Sequence, residues 1–245
     1  MSARDRLDPE RLAAMSKAER VAALRDVIDR VPGPALARTP VLAVPTALGP
    51  IFPDGGLTKG STVTYAGTST VLLGLLAAVT AEGSWAALVG GGRRGLLAFH
   101  EMGGDLERLA VIRDPGQDPL GVVAALTDGI DLIVLDHRVG VPPARARTLE
   151  GRVRGQKAVL LVAGQDWPHP DLRIRSHLAG AHGLGAGRGR LRGLEVEVAT
   201  QDRTGRVRAV TAVLDGVGGR TGWTAAEEGR DAAAAAPPIG DQRTG

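Results

Sequence analysis

Residues 55–74 run Gly55-Gly56-Leu57-Thr58-Lys59-Gly60-Ser61-Thr62-Val63-Thr64-Tyr65-Ala66-Gly67-Thr68-Ser69-Thr70-Val71-Leu72-Leu73-Gly74. A Gly-Gly turn leads into a short strand over Ser61–Ala66, which ends at a small residue and Gly67. A helix over Val71–Ala81 follows. A strand, a glycine turn and a helix in this order is the frame of a phosphate-binding loop. Such a loop needs G-x-x-x-x-G-K-[ST]: backbone N–H groups wrap the phosphates, a Lys neutralises them and a hydroxyl holds magnesium. Counted from Gly67, the last three positions are Leu72, Leu73 and Gly74. No Lys occurs between Lys59 and Lys157, and Lys59 precedes the strand, at its opposite end. The degenerate loop Gly67, Thr68, Ser69 and Thr70 keeps hydroxyls and has lost the cation. No nucleotide, metal or other cofactor is expected to bind here.

Outward from this stretch, apolar strands alternate with helical segments. Strands are predicted at Trp85–Val89, Leu109–Ile112, Asp131–Leu135 and Ala158–Ala163. Helices are predicted around Leu96–Met102 and at Pro119–Asp128 and Ala144–Val153. Near-continuous apolar strands separated by helices predict an α/β fold, a mainly parallel sheet with helices on both faces. After Trp167, Arg173–Leu178, Leu191–Ala199 and Val207–Leu214 read as antiparallel strands. Glu195 and Glu197 alternate there with Leu194, Val196 and Val198, as on a half-exposed sheet.

Before the core, Ser16-x-x-Glu19 is a capping box. Val21, Leu24, Ile28 and Val31 recur behind it at helical spacing and form a candidate partner-binding face, with Pro32-Gly33-Pro34 as the stop. Pro-rich sequence up to Pro53 reads as an extended connector. From Gly216 the chain is Gly, Ala, Pro and polar residues and reads as disordered. The divisions are therefore a helical segment 1–33, a core 34–215 and a tail 216–245.

The chain has no cysteine, which excludes disulfide scaffolds, thiolate metal sites and cysteine nucleophiles. The charged N-terminus lacks a signal-peptide core, and Val71–Val79 is too short to span a bilayer, so a cytoplasmic protein without membrane contact is expected. The net charge of +3 is unevenly spread. Arg138–Arg208 carries fourteen Lys/Arg against six Asp/Glu. That excess points to a polyanion or an acidic partner. Arg173, Arg175, Arg188, Arg190 and Arg192 are candidate DNA contacts, as are Arg138, Arg145, Arg147, Arg152 and Arg154, although the region lacks aromatics for stacking on bases. Asp131-Leu132-Ile133-Val134-Leu135-Asp136 is an apolar strand ending in Asp, the form of a magnesium-holding strand. Without the loop Lys, Asp136 is expected to serve as a cap or hydrogen-bond partner. No G-x-S-x-G or H-E-x-x-H motif and no paired histidines offer another catalytic centre.

The order and spacing over roughly Pro40 to Leu214 resemble the RecA ATPase core. The Gly55-Gly56-Leu57-x-x-Gly60 turn, the Leu-rich helix in place of the phosphate loop, Gly103–Arg113, Leu172–Arg175 and Gly187–Val198 together resemble the actinobacterial branch of the ImuA family. Members are RecA-related accessory proteins of a damage-inducible mutagenesis cassette. The resemblance implies a non-catalytic protein of an error-prone translesion synthesis complex. Its implied partners are an ImuB-like inactive Y-family polymerase homologue and an error-prone C-family polymerase complex, with DNA and self-association as further candidates. The competing readings are a SulA-type cell-division inhibitor and a RecA-like ATPase with an atypical phosphate loop.

Overall fold

The computed structural model describes residues 40–91, 95–185, 188–217 and 220–226, all within a compact unit that begins at Pro40. The helix predicted to carry Val21, Leu24, Ile28 and Val31 falls outside the described residues, as do residues 227–245. A two-stranded sheet pairs β1 (Val41–Leu42) with β2 (Leu57–Thr58). The main sheet has nine strands: β3 (Thr62–Ala66), β4 (Ala86–Gly90), β5 (Leu109–Ile112), β6 (Leu132–Asp136), β7 (Val159–Ala163), β8 (Leu172–Gly185), β9 (Arg188–Asp202), β10 (Val207–Val217) and β11 (Arg220–Ala225). Their spatial order is β11-β10-β9-β8-β3-β7-β6-β4-β5. The block from β8 to β5 is parallel, and β8 to β11 are mutually antiparallel. The expected RecA-like α/β architecture is what the chain adopts.

Four α-helices connect the parallel strands: α1 (Ser69–Ala81), α2 (Leu96–Glu101), α3 (Pro119–Leu126) and α4 (Pro143–Gln156). Strand side chains alternate between faces, and the alternation divides the core in two. Val63, Tyr65, Leu88, Leu132, Val134, Leu161 and Ile174 pack with α1 on the first face. Val89, Ile133, Leu135, Leu160 and Val162 pack with Leu120, Val123, Ala146, Leu149 and Val153 of α3 and α4 on the second. Both faces of β6 and β7 are thus dry, which explains their unbroken apolar runs. Full burial of each such side chain contributes roughly 1.5–3 kcal/mol.

The antiparallel strands are covered on one face only. Ile174, Ser176, Val196, Val198, Thr200, Ala212 and Leu214 are buried there, whereas Arg173, Arg175 and His177 stand exposed on the other face. Among the described residues, the cluster beneath α3 and α4 on that second face draws its strand residues from β4, β5, β6 and β7.

Two expectations change. Residues 40–53 are not a free connector: Thr46–Ile51 forms a 3-10 helix, and Leu42, Leu48, Ile51 and Phe52 are core residues. Thr200 Oγ1, buried on β9, donates to the Ile51 carbonyl at 2.6 Å and fixes the segment against the antiparallel strands. The tail from Gly216 is ordered where it can still pair, because β11 adds to β10 in register from Ala212↔Ala225 to Val217↔Arg220. Trp223 supplies the apolar contact that Gly- and Ala-rich sequence otherwise lacks. Beyond α2, Asp105 caps the 3-10 turn Leu106–Arg108 by accepting from Glu107 N at 2.9 Å.

Candidate functional site

The link between β3 and α1 is two residues long, Gly67 and Thr68. It is closed on itself. Ser176 Oγ, buried on β8, accepts from Thr68 N at 3.0 Å. The same oxygen lies 2.6 Å from the Tyr65 hydroxyl and 3.3 Å from Thr68 Oγ1. Tyr65 Oη also meets the Thr68 carbonyl at 2.6 Å. A backbone N–H that would face phosphate in a wrapping loop is therefore spent on a protein hydroxyl. Gly67 is required by contact: a Cβ there would lie 2.2 Å from Ser176 Oγ and 2.4 Å from the Ser176 carbonyl oxygen.

The residues at the lost loop positions have joined the core. Leu72 and Leu73 are buried, so the position of the missing Lys now points into hydrocarbon. Gly74 stands where the magnesium-holding hydroxyl would be, and a Cβ on it would come within 2.7 Å of Trp223 Nε1. The indole of β11 occupies the space that a side chain at position 74 would need. Lys59 is held at the opposite end of the strands by Asp131, Nζ to Oδ1 2.8 Å. Asp131 also accepts from Trp85 N at 3.0 Å. Asp136 ends β6 on the same sheet face as Tyr65, with β7 between, and its carbonyl accepts from Gly91 N at 2.8 Å.

A separate cleft of about 730 Å³ opens on the second face at the same strand ends. Arg138, Val139 and Gly140 after β6, Gly164, Gln165 and Asp166 after β7, and Arg173 and Arg175 on β8 line it, with Thr64 of β3. Gln165 Oε1 accepts from Val139 N at 3.0 Å and ties the two loops together. The structure thus joins two arginine groups that stand apart in sequence. It does not assemble all the candidates. Arg192 lines a different, smaller cleft of about 370 Å³ with His182, Asp215 and Thr224. Arg188 and Arg190 are placed on β9 by the backbone alone. Arg145 pairs with Asp118 at 2.7 Å and Arg152 with Asp128 at 2.6 Å, and Arg147 and Arg154 are exposed on α4.

Electrostatic pairing also shifts acids outside the cleft. The Arg145 guanidinium and the Gly121 N–H hold the Asp118 carboxyl below its ordinary value of 3.8. Asp202 is likewise lowered, first by the Thr204 hydroxyl, in the turn between β9 and β10. Tyr65 and Ser176, the clasp of the link, escaped sequence reading, since a Ser alternating with Ile and Leu is the mark of any half-buried strand. Trp223 escaped it too, lying in sequence that reads as tail.

Residues 50–169 match the family described as MT3502 N-terminal domain, which spans the closed link, Asp136, Arg138 and the loop after β7. The chain is 42% identical over 151 residues to "uncharacterized protein Rv3395c" of Mycobacterium tuberculosis (strain ATCC 25618 / H37Rv), covering 60% of this chain and 73% of that protein. The chain belongs to the same family as this mycobacterial protein, and its residues 50–169 match the MT3502 N-terminal domain.

Proposed function

We propose that the protein is a non-catalytic, RecA-like accessory subunit of the ImuA type, which bridges or regulates polymerases in an error-prone translesion synthesis complex. One observation carries the non-catalytic part: the Gly67–Thr68 link is clasped by Ser176 and Tyr65, with Leu73 buried where a phosphate-neutralising cation would stand. Wrapping a triphosphate would require breaking that clasp and burying its charge beside Leu72 and Leu73, with no Lys to offset it. A fold that has kept its sheet while filling its nucleotide position with core residues is suited to contacts with partners. The resemblance of the sequence to the actinobacterial ImuA branch supports the mutagenesis-cassette reading.

The test is co-purification of the full chain with an inactive Y-family polymerase homologue, an error-prone C-family polymerase and a cell-division GTPase from the same organism. Capture of a polymerase component is expected, weakened by charged substitutions at Val21, Leu24, Ile28 and Val31. Capture of the division GTPase alone would assign the protein to the SulA type. ATP turnover that is lost in Asp136→Ala would assign it to the ATPases.

A further inference from the structure

We infer that the cleft formed by Arg138, Arg173 and Arg175 is a phosphate-binding site, on the opposite sheet face from the degenerate loop. This goes beyond the accessory reading and does not rest on it. Four arginines outside the cleft pair with acids, Arg145 with Asp118, Arg152 with Asp128, Arg203 with Asp171 and Arg108 with Asp105, while others such as Arg113 and Arg206 stand exposed and dispersed. Arg138, Arg173 and Arg175 form no ion pair with any described carboxylate, yet they share one cleft with a single acid, Asp166. Gathering like charges is unfavourable unless an anion is to be received there.

The surroundings define that anion. Along β8 the positive region stops at His177, beyond which Glu197 and Glu195 stand 3.4 Å and 3.6 Å from His177 and His182. The attractive zone is therefore short. A terminal phosphate concentrates up to two negative charges and a nucleic-acid backbone repeats one at every phosphate, which suits three arginines lining one cleft. The lining has one aromatic, Tyr65, and its hydroxyl is already engaged by Thr68 and Ser176. No ring is offered for base stacking, so recognition runs through phosphate oxygens alone. Gln165, whose buried Nε2 has no hydrogen-bond partner, adds a neutral donor to the lining. A small diphosphate and the backbone of a single-stranded nucleic acid share this chemistry.

The test titrates full-length protein at low salt with inorganic pyrophosphate and with labelled oligo-dT. Two variants run in parallel: Arg138→Ala/Arg173→Ala/Arg175→Ala, and the charge-matched Arg113→Ala/Arg206→Ala/Arg208→Ala at sites outside the cleft. Saturable binding of at least one ligand is expected, weakened at least ~10-fold by the cleft variant and much less by the control. For oligo-dT, the salt slope should fall by about one for each phosphate-contacting arginine removed. Pyrophosphate that binds and displaces oligo-dT identifies a small ligand, and oligo-dT binding alone identifies a nucleic-acid backbone. The site is refuted if neither ligand binds, if both variants weaken binding equally, or if a poly-glutamate peptide competes as well as phosphate does.

Discussion

Ser176 is an ordinary residue in an unusual position, because one buried oxygen holds together Tyr65, the Thr68 backbone and the turn of Gly67. Ser176→Ala leaves Thr68 N without its acceptor and should cost about 1–3 kcal/mol in urea unfolding. It should create no nucleotide affinity, since Leu73 still fills the cation position. Gly67→Ala should cost more, because its methyl meets both Ser176 Oγ and the Ser176 carbonyl and backbone must move. A smaller effect than that of Ser176→Ala would mean that the link is looser than drawn. At Asp118 the sign of a pH effect is fixed. Its folded pKa lies below the ordinary 3.8, so its pairing with Arg145 stabilises the fold above that value and is lost as pH falls through the lowered one. Asp118→Asn keeps an N-cap acceptor for Gly121 and removes the charge. Its melting-temperature deficit should be small at neutral pH, shrink with salt, and vanish at the acid end. A deficit that persists there would place the effect in the cap instead.

At the scale of elements, α1 shows why replacing a binding loop reshapes its neighbours. A helix buried along almost its whole length needs apolar cover on every side. The sheet gives one side, and Trp223 of β11 gives part of another against Gly74. Trp223→Ala should therefore destabilise the core by about 2 kcal/mol although it lies in sequence that reads as a tail. Unfolding unchanged by that substitution would make β11 a decoration. The parallel strands were legible because each is short, apolar and bounded by turn residues, so Leu109–Ile112 is read to the residue. The ends of the antiparallel strands were not. Gly and Arg around the β8–β9 turn carry little periodicity, and their strands are set by pairing across the hairpin. Residues 40–53 misled for a related reason: Pro punctuates a buried 3-10 turn as readily as an exposed connector. The missing Lys was visible in sequence, but what replaced it was not, since Ser176 and Trp223 lie over 100 residues from Gly67 and only the sheet brings them there.

For the whole molecule, the two sheet faces offer different things at one set of strand ends. The first is closed at the Gly67–Thr68 link. The second leaves an open cleft with Arg138, Arg173 and Arg175. Together they describe a RecA-like body whose nucleotide position has become core. The most direct measurement is equilibrium binding of ATP with magnesium to the purified full chain, by calorimetry and by thermal shift, with the cleft variant Arg138→Ala/Arg173→Ala/Arg175→Ala alongside. Any heat shared with pyrophosphate and lost in that variant belongs to the cleft. Beyond it, millimolar nucleotide should give no saturable binding and no rise in melting temperature, as expected of a ligand without a site on the folded state. Saturable, magnesium-dependent ATP binding that survives in the cleft variant and disappears in Asp136→Ala would contradict the account.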